Sequence, residues 1–183
     1  GALDRYKRAH ALSVAADIKP LRALSAAWLA HMAFNRLDLE PLALRLREAL
    51  ELALPIAHST RSRASMVLGQ ALHHAGRPDL AAPLYSSVRS HAAEESDDAT
   101  ISALMFNMTG IEVAHLRHFK LSGVGSAAFG RHALNATQST HNFDTLIGTQ
   151  SLKDYIPILH AQVLTLHEES EAALRAYEVL LAN

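Results

Sequence analysis

The sequence contains no cysteine among its 183 residues. Disulfide scaffolds, thiolate zinc sites and cysteine nucleophiles are therefore excluded, and a reducing cytoplasm is the expected location. Aromatic side chains make up only 5%, which disfavours β-sheets because strands are enriched in aromatic and β-branched residues. Alanine and leucine dominate the apolar residues instead, and this composition favours closely packed helices.

The chain has no excess of charge of either sign, with 17 basic and 18 acidic residues. This balance disfavours nucleic-acid binding, because a nearly neutral surface attracts phosphates weakly. Long apolar runs are also missing. The longest candidate, 23–34, is interrupted by Ser25 and His31 and is shorter than the roughly 20 residues of a membrane span. We therefore expect no nucleic-acid partner and no membrane insertion.

Apolar residues recur at steps of three and four, the helical period, and no segment shows the two-residue alternation of a strand. The pattern predicts an all-α fold with about eight or nine helices. They cover residues 3–17, 21–35, 39–54, 61–75, 79–93, 98–119, 126–146, 152–167 and 170–182. Short connections favour antiparallel packing of consecutive helices.

Turn and cap residues separate the predicted helices. We expect a left-handed C-cap at Gly76, with Pro78 opening the next helix, and another helix end at Gly148. Asp97 and Asp98 place negative charge at a helix start, where the helix dipole is positive.

Small residues occupy set positions in the stretch LGQALHHAGRPDLAAPLY, residues 68–85. Gly69 on one helix and Ala81 on the next allow two backbones to approach closely. The spacing runs Ser65-x₂-Leu68-Gly69-x₂-Leu72, then Ala81-x₃-Tyr85. It resembles the tetratricopeptide repeat, whose signature is Trp-x₂-Leu-Gly-x₂-Tyr, then Ala-x₃-Phe, then Pro. Ser65, Leu72 and Ala93 depart from the signature tryptophan, tyrosine and proline.

Two other helix pairs follow this spacing. Ala161-x₂-Leu164 precedes Ala173-x₃-Tyr177, and Leu29-Ala30-x₂-Ala33 precedes Leu42-x₃-Leu46, while the pair beginning near Asp98 fits only in its first helix. The resemblance implies one domain over 1–183 of stacked antiparallel helical hairpins, a right-handed α-solenoid. The hairpins are 21–54, 61–93, 98–146 and 152–182, and helix 3–17 is a cap or a truncated hairpin. An ordinary helical bundle is the alternative.

In such a stack, the first helices of successive pairs line a concave face. The side chains expected to point into this groove are Leu24, His31, Phe34, Asn35, Arg63, Met66, Gln70, His73, His74, Ser102, Phe106, Thr109, Tyr155, Ile158 and Gln162. Apolar anchors beside hydrogen-bonding groups suit an extended peptide or a partner helix. Chaperone-binding members of the family hold a C-terminal carboxylate with lysines and asparagines on this face. The chain has Ala27 and Met66 in place of the lysines and His31 and Gln70 in place of the asparagines, so we do not expect it to bind chaperone tails.

The remaining constellations do not favour catalysis. Twelve histidines include His73–His74 and His115-x₂-His118, but no HExxH occurs and no carboxylate stands at third-ligand spacing. The stretch GVGSAA (123–128) matches G-x-G-x-x-A but follows a helical pattern instead of a strand. The acids at 94–98 lack the calcium-loop pattern, and no G-x-S-x-G is present.

We therefore expect no catalytic residue, no metal and no cofactor. The leading hypothesis is a non-catalytic protein-interaction module with a protein or peptide partner. The chain begins Gly-Ala-Leu, and its degenerate repeats look similar to those preceding output domains of bacterial signalling proteins, so we expect the regulatory part of a larger protein. A sensor that binds a small molecule or short peptide in the groove is the alternative, and a helical metal- or cofactor-dependent enzyme is the third hypothesis. Homodimer formation stays open.

Overall fold

In a computed structural model, nine α-helices cover the residues that the structure describes, 1–123, 127–148 and 152–182, and no strand occurs among them. The helices are α1 (Ala2–Ala15), α2 (Lys19–Asn35), α3 (Leu39–Leu52), α4 (His58–His74), α5 (Pro78–Glu94), α6 (Asp98–Leu121), α7 (Ala127–Ile147), α8 (Tyr155–Leu166) and α9 (Ser170–Leu181). The predicted all-α fold is confirmed. Two helices differ most from the prediction, since α4 begins three residues earlier than expected and α8 three residues later.

The chain divides into two compact units, residues 1–101 and 102–183. In the first unit, α2 packs against α1, α3 and α4, and α4 packs against α5. Its main apolar cluster is built largely from alanine: Ala26, Ala27, Ala30, Ala33, Leu42, Leu46, Ala49, Ala64 and Val67. Small side chains allow the helix axes to lie close together, and so the composition explains the packing of α2 against its neighbours.

In the second unit, α8 packs against α7 and α9. Val113 and Leu116 of α6 join Ala133 of α7 and Val163 of α8 in one apolar cluster. Two buried polar contacts also connect α6 to α7. The Ser102 hydroxyl donates to Asp144 at 2.9 Å, and the hydroxyls of Thr109 and Thr140 lie 3.1 Å apart.

The small residues that the repeat spacing singled out are all enclosed. Gly69 is buried, Ala81 and Ala161 have no exposed surface, and Ala173 is 5% exposed. A Cβ atom on Gly69 would lie within 3.4 Å of both Tyr85 and Leu84, which shows how closely α5 approaches α4 at this point. None of these four positions faces solvent, as predicted, and the close approach of two helices is shown directly at Gly69.

Five connections share one three-residue turn, at 16–18, 36–38, 75–77, 95–97 and 167–169. The middle residue of each lies in the left-handed region, at Asp17 (φ 51°), Leu37 (57°), Gly76 (74°), Ser96 (51°) and Glu168 (68°). In the second turn, the Leu37 N–H donates to the Phe34 carbonyl at 2.9 Å and the Asp38 N–H donates to the Ala33 carbonyl at 3.0 Å. The other four turns repeat these two bonds at the same offsets, which is the Schellman arrangement.

Two predicted helix ends and one predicted helix start are confirmed. Gly76 and Gly148 both adopt a positive φ after a helix, at 74° and 69°. Asp97 directly precedes α6, where its carboxylate accepts hydrogen bonds from the Thr100 N–H at 3.0 Å and from the Thr100 hydroxyl at 2.6 Å. The acidic pair at 97–98 is therefore explained by the start of this helix.

Within the described ranges, no helix combines the length and the apolar character that crossing a membrane requires.

Candidate functional site

A ring cluster on α1, α2 and α4 surrounds the chain's single tryptophan. Tyr6 stacks on Trp28 with ring centroids 5.1 Å apart and an interplanar angle of 8°. The guanidinium carbon of Arg63 lies 4.0 Å from the Trp28 ring centroid, and the His31 ring meets the Trp28 ring edge-on at 5.9 Å. All four side chains are only partly buried. We call these four residues the Trp28 cluster.

The four residues of the Trp28 cluster are distant in the sequence, and the packing of three helices brings them together. Trp28 and His31 are one turn apart on α2, so their side chains share a face. Arg63 lies in the second turn of α4, and α2 and α4 are in contact. Tyr6 reaches the cluster from α1, which packs against α2. Three helices of the first unit therefore position the four side chains.

His31 is held neutral by its surroundings. Burial and, to a smaller extent, the positive charge of Arg63 together lower its pKa to about 4. Its Nδ1 atom is buried and has no hydrogen-bond partner within the described chain. A buried nitrogen without a partner costs free energy, so His31 destabilises the packing around it.

Arg63 is a partly buried cation. Desolvation is the main cause that lowers the pKa of its guanidinium, and the charge of Asp97 acts in the opposite direction. Within the described ranges the guanidinium forms no ion pair with a carboxylate. Its Nη1 contacts the Met66 sulfur at 3.9 Å, which is a weak acceptor.

Further along α2 and α4, aromatic and amide groups continue the same face. The Phe34 and His74 rings lie 5.9 Å apart, and Phe34 is half-buried while His74 is exposed. Gln70, two turns beyond Arg63, is 4% exposed, and its Nε2 has no partner among the described residues. The predicted residues His31, Phe34, Arg63, Gln70 and His74 thus lie on the two helices of one packed pair.

The other predicted residues of the first unit have different surroundings. Met66 is fully buried and contributes to packing. Asn35 is exposed at the end of α2, and Leu24 is partly buried near its start. His73 Nδ1 lies 3.3 Å from the hydroxyl of Tyr85, so this side chain connects α4 to α5.

In the second unit, the predicted residues separate into buried and exposed groups. Ser102 and Thr109 are buried and bonded to α7. Phe106 is partly buried and meets the Tyr155 ring edge-on at 6.2 Å, while Tyr155 is 58% exposed. Ile158 and Gln162 are exposed on α8.

A cavity of about 430 Å³ lies between α6, α8 and α9 in this unit. Its walls include Gly110, Val113, Leu166 and Tyr177, and its polar groups are Arg117, Gln162 and Thr165. Thr165 donates its hydroxyl to the Ala161 carbonyl at 2.9 Å. The volume falls in the range of small-molecule sites. The sequence pattern did not indicate this cavity.

A partly buried polar network, also not indicated by the sequence, links α1, α2 and α3. Arg45 donates to His10 Nε2 at 2.7 Å, and His10 Nδ1 lies 3.2 Å from Ser25 Oγ. Arg22 and Arg45 donate to Glu48 at 2.6 and 2.5 Å. Arg45 can only donate, so His10 Nε2 accepts and Nδ1 carries the ring proton. Burial is the main cause that lowers the pKa of His10.

This serine, histidine and glutamate do not form a catalytic triad. His10 Nε2 accepts from Arg45, and so Nδ1 donates to Ser25 and cannot act as its base. The Ser25 hydroxyl in turn donates to the Arg22 carbonyl at 3.0 Å, and Ser25 is 3% exposed. The network is a polar connection between three helices.

Within the described ranges, no three histidine or acidic side chains converge. One unexpected pair is present, since the Nδ1 atoms of His58 and His91 lie 3.0 Å apart between α4 and α5. Of the GVGSAA stretch, residues 124–126 lie outside the described residues, as do the side chains of 127 and 128. Gly123 has a φ of 73° after α6, as a helix end requires.

No family model, curated protein or solved structure matches this chain.

Proposed function

We propose that the chain is a non-catalytic interaction module of tetratricopeptide-like helical hairpins, and that it binds a peptide on the face of α1, α2 and α4 that carries the Trp28 cluster. In this proposal it serves as the regulatory part of a larger bacterial signalling protein. The shared residue spacing and the repeated turn support the helical hairpins, and the Trp28 cluster supports peptide binding.

The proposed helical repeat is supported by a spacing of buried residues that three helix pairs share. In three helix pairs, a small residue lies seven positions before the left-handed residue of the turn: Ala30 before Leu37, Gly69 before Gly76 and Ala161 before Glu168. All three small residues are buried. Five positions after the left-handed residue stand Leu42, Ala81 and Ala173, which are buried as well. An ordinary bundle has no reason to keep these offsets.

The binding part rests on one observation, the Trp28 cluster. Tryptophan, tyrosine and arginine are the residue types that contribute most to protein interfaces. Here all three are partly exposed, Trp28 contacts both Tyr6 and Arg63, and the His31 ring meets the Trp28 ring beside them. Such a surface provides apolar contact area and unused hydrogen-bonding capacity to an extended chain.

A display library of random peptides tests the proposal. Enriched peptides are synthesised with a fluorescent label, and their affinity is measured by anisotropy for the wild type and for Trp28→Phe and Arg63→Met. We expect both variants to bind at least about tenfold more weakly. The matched control is Arg47→Met, which makes the same change at an exposed position on α3. Each variant is first compared with the wild type by thermal unfolding.

Two results would contradict the proposal. One is a library in which no peptide is enriched over an unrelated helical protein. The other is enrichment of peptides whose affinity is the same for the wild type and both cluster variants, which would place binding elsewhere on the chain.

The cavity in the second unit favours a second candidate function, a sensor for a small molecule. Its volume and its few polar groups around an apolar wall are typical of such sites. Gly110→Leu would place a side chain in the cavity. A compound that raises the melting temperature of the wild type and not of Gly110→Leu would support this candidate, whereas equal effects on both would contradict it.

A further inference from the structure

His58 and His91 present two ring nitrogens to each other across the contact of α4 with α5. Their Nδ1 atoms lie 3.0 Å apart, and the ring centroids lie 5.2 Å apart with an angle of 57° between the ring planes. His58 is the first residue of α4, and His91 lies in the last turn of α5, 33 positions later. Both rings are only partly buried, so an ion from solvent can reach them.

The separation of the two Nδ1 atoms is that of neighbouring ligands on one metal ion. A transition-metal ion lies about 2.0–2.1 Å from an imidazole nitrogen. Two nitrogens at that distance are about 2.9 Å apart when the angle at the metal is a right angle, and about 3.3 Å apart at the tetrahedral angle. The observed 3.0 Å is closer to the first value, which belongs to the tetragonal arrangement that Cu²⁺ and Ni²⁺ prefer.

A hydrogen bond between the two rings requires that one Nδ1 carries a proton and the other does not. If the proton of the first ring moves to its Nε2, both Nδ1 lone pairs face the space between the rings. Neutral imidazole binds metals through either nitrogen. The pair can therefore accept an ion by a change of tautomer in one ring, with little change in the distance between the rings.

The helices hold both histidines in place before an ion binds. At the start of α4, the His58 N–H donates to the Ile56 carbonyl at 3.0 Å, and Ser62, one turn further along, is 2% exposed. On α5, Val88, one turn before His91, has no exposed surface. Because the two ligands are fixed by packing, an ion that binds them has little ordering cost to overcome.

The charges around the pair include two carboxylates. Burial is the main cause that lowers the pKa of the His91 ring, and the charges of His58 and Arg61 lower it further, whereas those of Glu94 and Glu95 raise it. Both acids therefore lie within electrostatic range of the ring, and their negative charge favours a bound cation.

Glu95 is also held close to the start of α4. The Ser59 hydroxyl donates to its carboxylate, and Ser59 is the neighbour of His58 in the chain. Within the described ranges no acid converges with the two histidines to make a set of three ligands. Water therefore completes the coordination of an ion, and a nearby carboxylate is suited to accept a hydrogen bond from that water.

We propose that His58 and His91 bind one divalent transition-metal ion through their Nδ1 atoms, with water in the remaining positions and Cu²⁺ bound more tightly than Ni²⁺ or Zn²⁺. The ion joins the first residue of α4 to the last turn of α5 and so stabilises this helix pair. The inference goes beyond peptide binding and is independent of it, because the Trp28 cluster contributes no ligand.

Calorimetric titration of the metal-free chain with Cu²⁺, in the absence of a histidine tag, tests the site. We expect one tightly bound equivalent. His58→Gln and His91→Gln should each bind at least about tenfold more weakly, since even the loss of an outer-shell partner costs that much. Glutamine keeps a hydrogen-bonding group at each position. The matched control is His141→Gln, which removes an exposed histidine of α7 and should leave the affinity unchanged.

Two spectra of the wild type identify the ligands even if a variant fails to fold. With less than one equivalent of Cu²⁺, electron paramagnetic resonance should show a tetragonal centre coupled to two nitrogens. With one equivalent of Zn²⁺, nitrogen NMR should show a shift of the Nδ1 signals of two among the twelve histidine rings. Cu²⁺ should also raise the melting temperature of the wild type and not that of the doubly substituted chain.

Equal affinity of the wild type and both variants for Cu²⁺ would overturn the inference, because other groups would then hold the ion. A wild-type titration without a tightly bound equivalent would overturn it as well, and so would coupling to a single nitrogen or a shift of Nε2 signals in place of Nδ1. None of these results changes the outcome of the peptide library, so the proposed function stands or fails separately.

Discussion

A Cβ atom on Gly69 would lie 2.7 Å from Cε1 of Tyr85, closer than real Cβ contacts. Tyr85 is 5% exposed, and its hydroxyl lies 3.3 Å from His73, so the ring has little room to move. The absence of a side chain at position 69 is therefore what allows α4 and α5 to pack at their observed separation.

We predict that Gly69→Leu destabilises the chain by roughly 1–3 kcal/mol, because the new side chain overpacks the contact with Tyr85. The matched control is Gly110→Ala. Gly110 also lies inside a helix, but a Cβ atom there would have no neighbour within 4 Å. Alanine at 110 should stabilise by about 0.5–1 kcal/mol through its higher helix propensity. Chemical unfolding of both variants checks the pair, and an unchanged stability of Gly69→Leu would contradict the close approach.

Replacing Leu37 with glycine should stabilise the folded chain. It has a φ of 57° and is 81% exposed, so its side chain strains the backbone and buries little surface. We predict that Leu37→Gly raises the free energy of unfolding by about 0.5–1 kcal/mol, because glycine adopts the left-handed region without a steric penalty. Leu44→Gly, at an exposed position in the middle of α3, should have the opposite sign. The melting temperatures of the two variants should therefore shift in opposite directions.

His31 should make the first unit sensitive to acid. Its pKa is about 4 in the folded chain and about 6.5 without burial, so the unfolded chain binds this proton more tightly. The stability associated with neutral His31 is complete above about pH 6.5 and is lost as the pH falls toward 4. At about 1.4 kcal/mol per pKa unit, the full loss is roughly 3 kcal/mol.

Urea unfolding followed by Trp28 fluorescence at pH 7 and pH 4.5 measures this effect. We predict that His31→Phe loses less stability than the wild type between these two values. His10 and His91, whose pKa values burial also lowers, contribute the same decline to both proteins. Equal declines in the wild type and the variant would show that protonation of His31 is not coupled to folding.

Glu48 stabilises the contact of three helices. Burial by itself would raise the pKa of Glu48, but hydrogen bonds from Arg22 and Arg45 hold it below the ordinary value. We predict that Glu48→Gln costs roughly 1–3 kcal/mol, because it leaves two arginines and His10 around an uncharged group. Glu40→Gln on the exposed side of α3 is the control and should change little. If both substitutions have the same effect on the urea midpoint, the network contributes no more than a surface charge.

The nine helices could be predicted because their information is local. Apolar periodicity is repeated over many residues, and so the helices follow from the sequence even where individual ends differ by up to three residues. Four of the five matching turns could not be predicted. The Schellman bonds are made by backbone groups, so they leave no sequence signal unless the left-handed residue is glycine. Only Gly76 gives that signal, whereas the other four turns have Asp17, Leu37, Ser96 and Glu168 at this position.

The candidate site was predictable only in part. Helical offsets placed Arg63, His31 and Gln70 together on two first helices, but the spacing omitted Trp28 and Tyr6. Trp28 directly precedes the Leu29-Ala30 packing pair, and Tyr6 lies on helix 3–17, outside the four predicted hairpins. The network of His10, Ser25 and Glu48 joins residues up to 38 positions apart on three helices, and no sequence spacing encodes that proximity.

The five shared turns also determine which changes in chain length the fold accepts. The third residue of each turn ends the preceding Schellman motif and immediately precedes the next helix, so the two helices share it. An inserted residue would break both backbone bonds and rotate the following helix by about 100°. Loops at a protein surface usually tolerate insertions, but these exposed connections should be as intolerant of them as a buried strand.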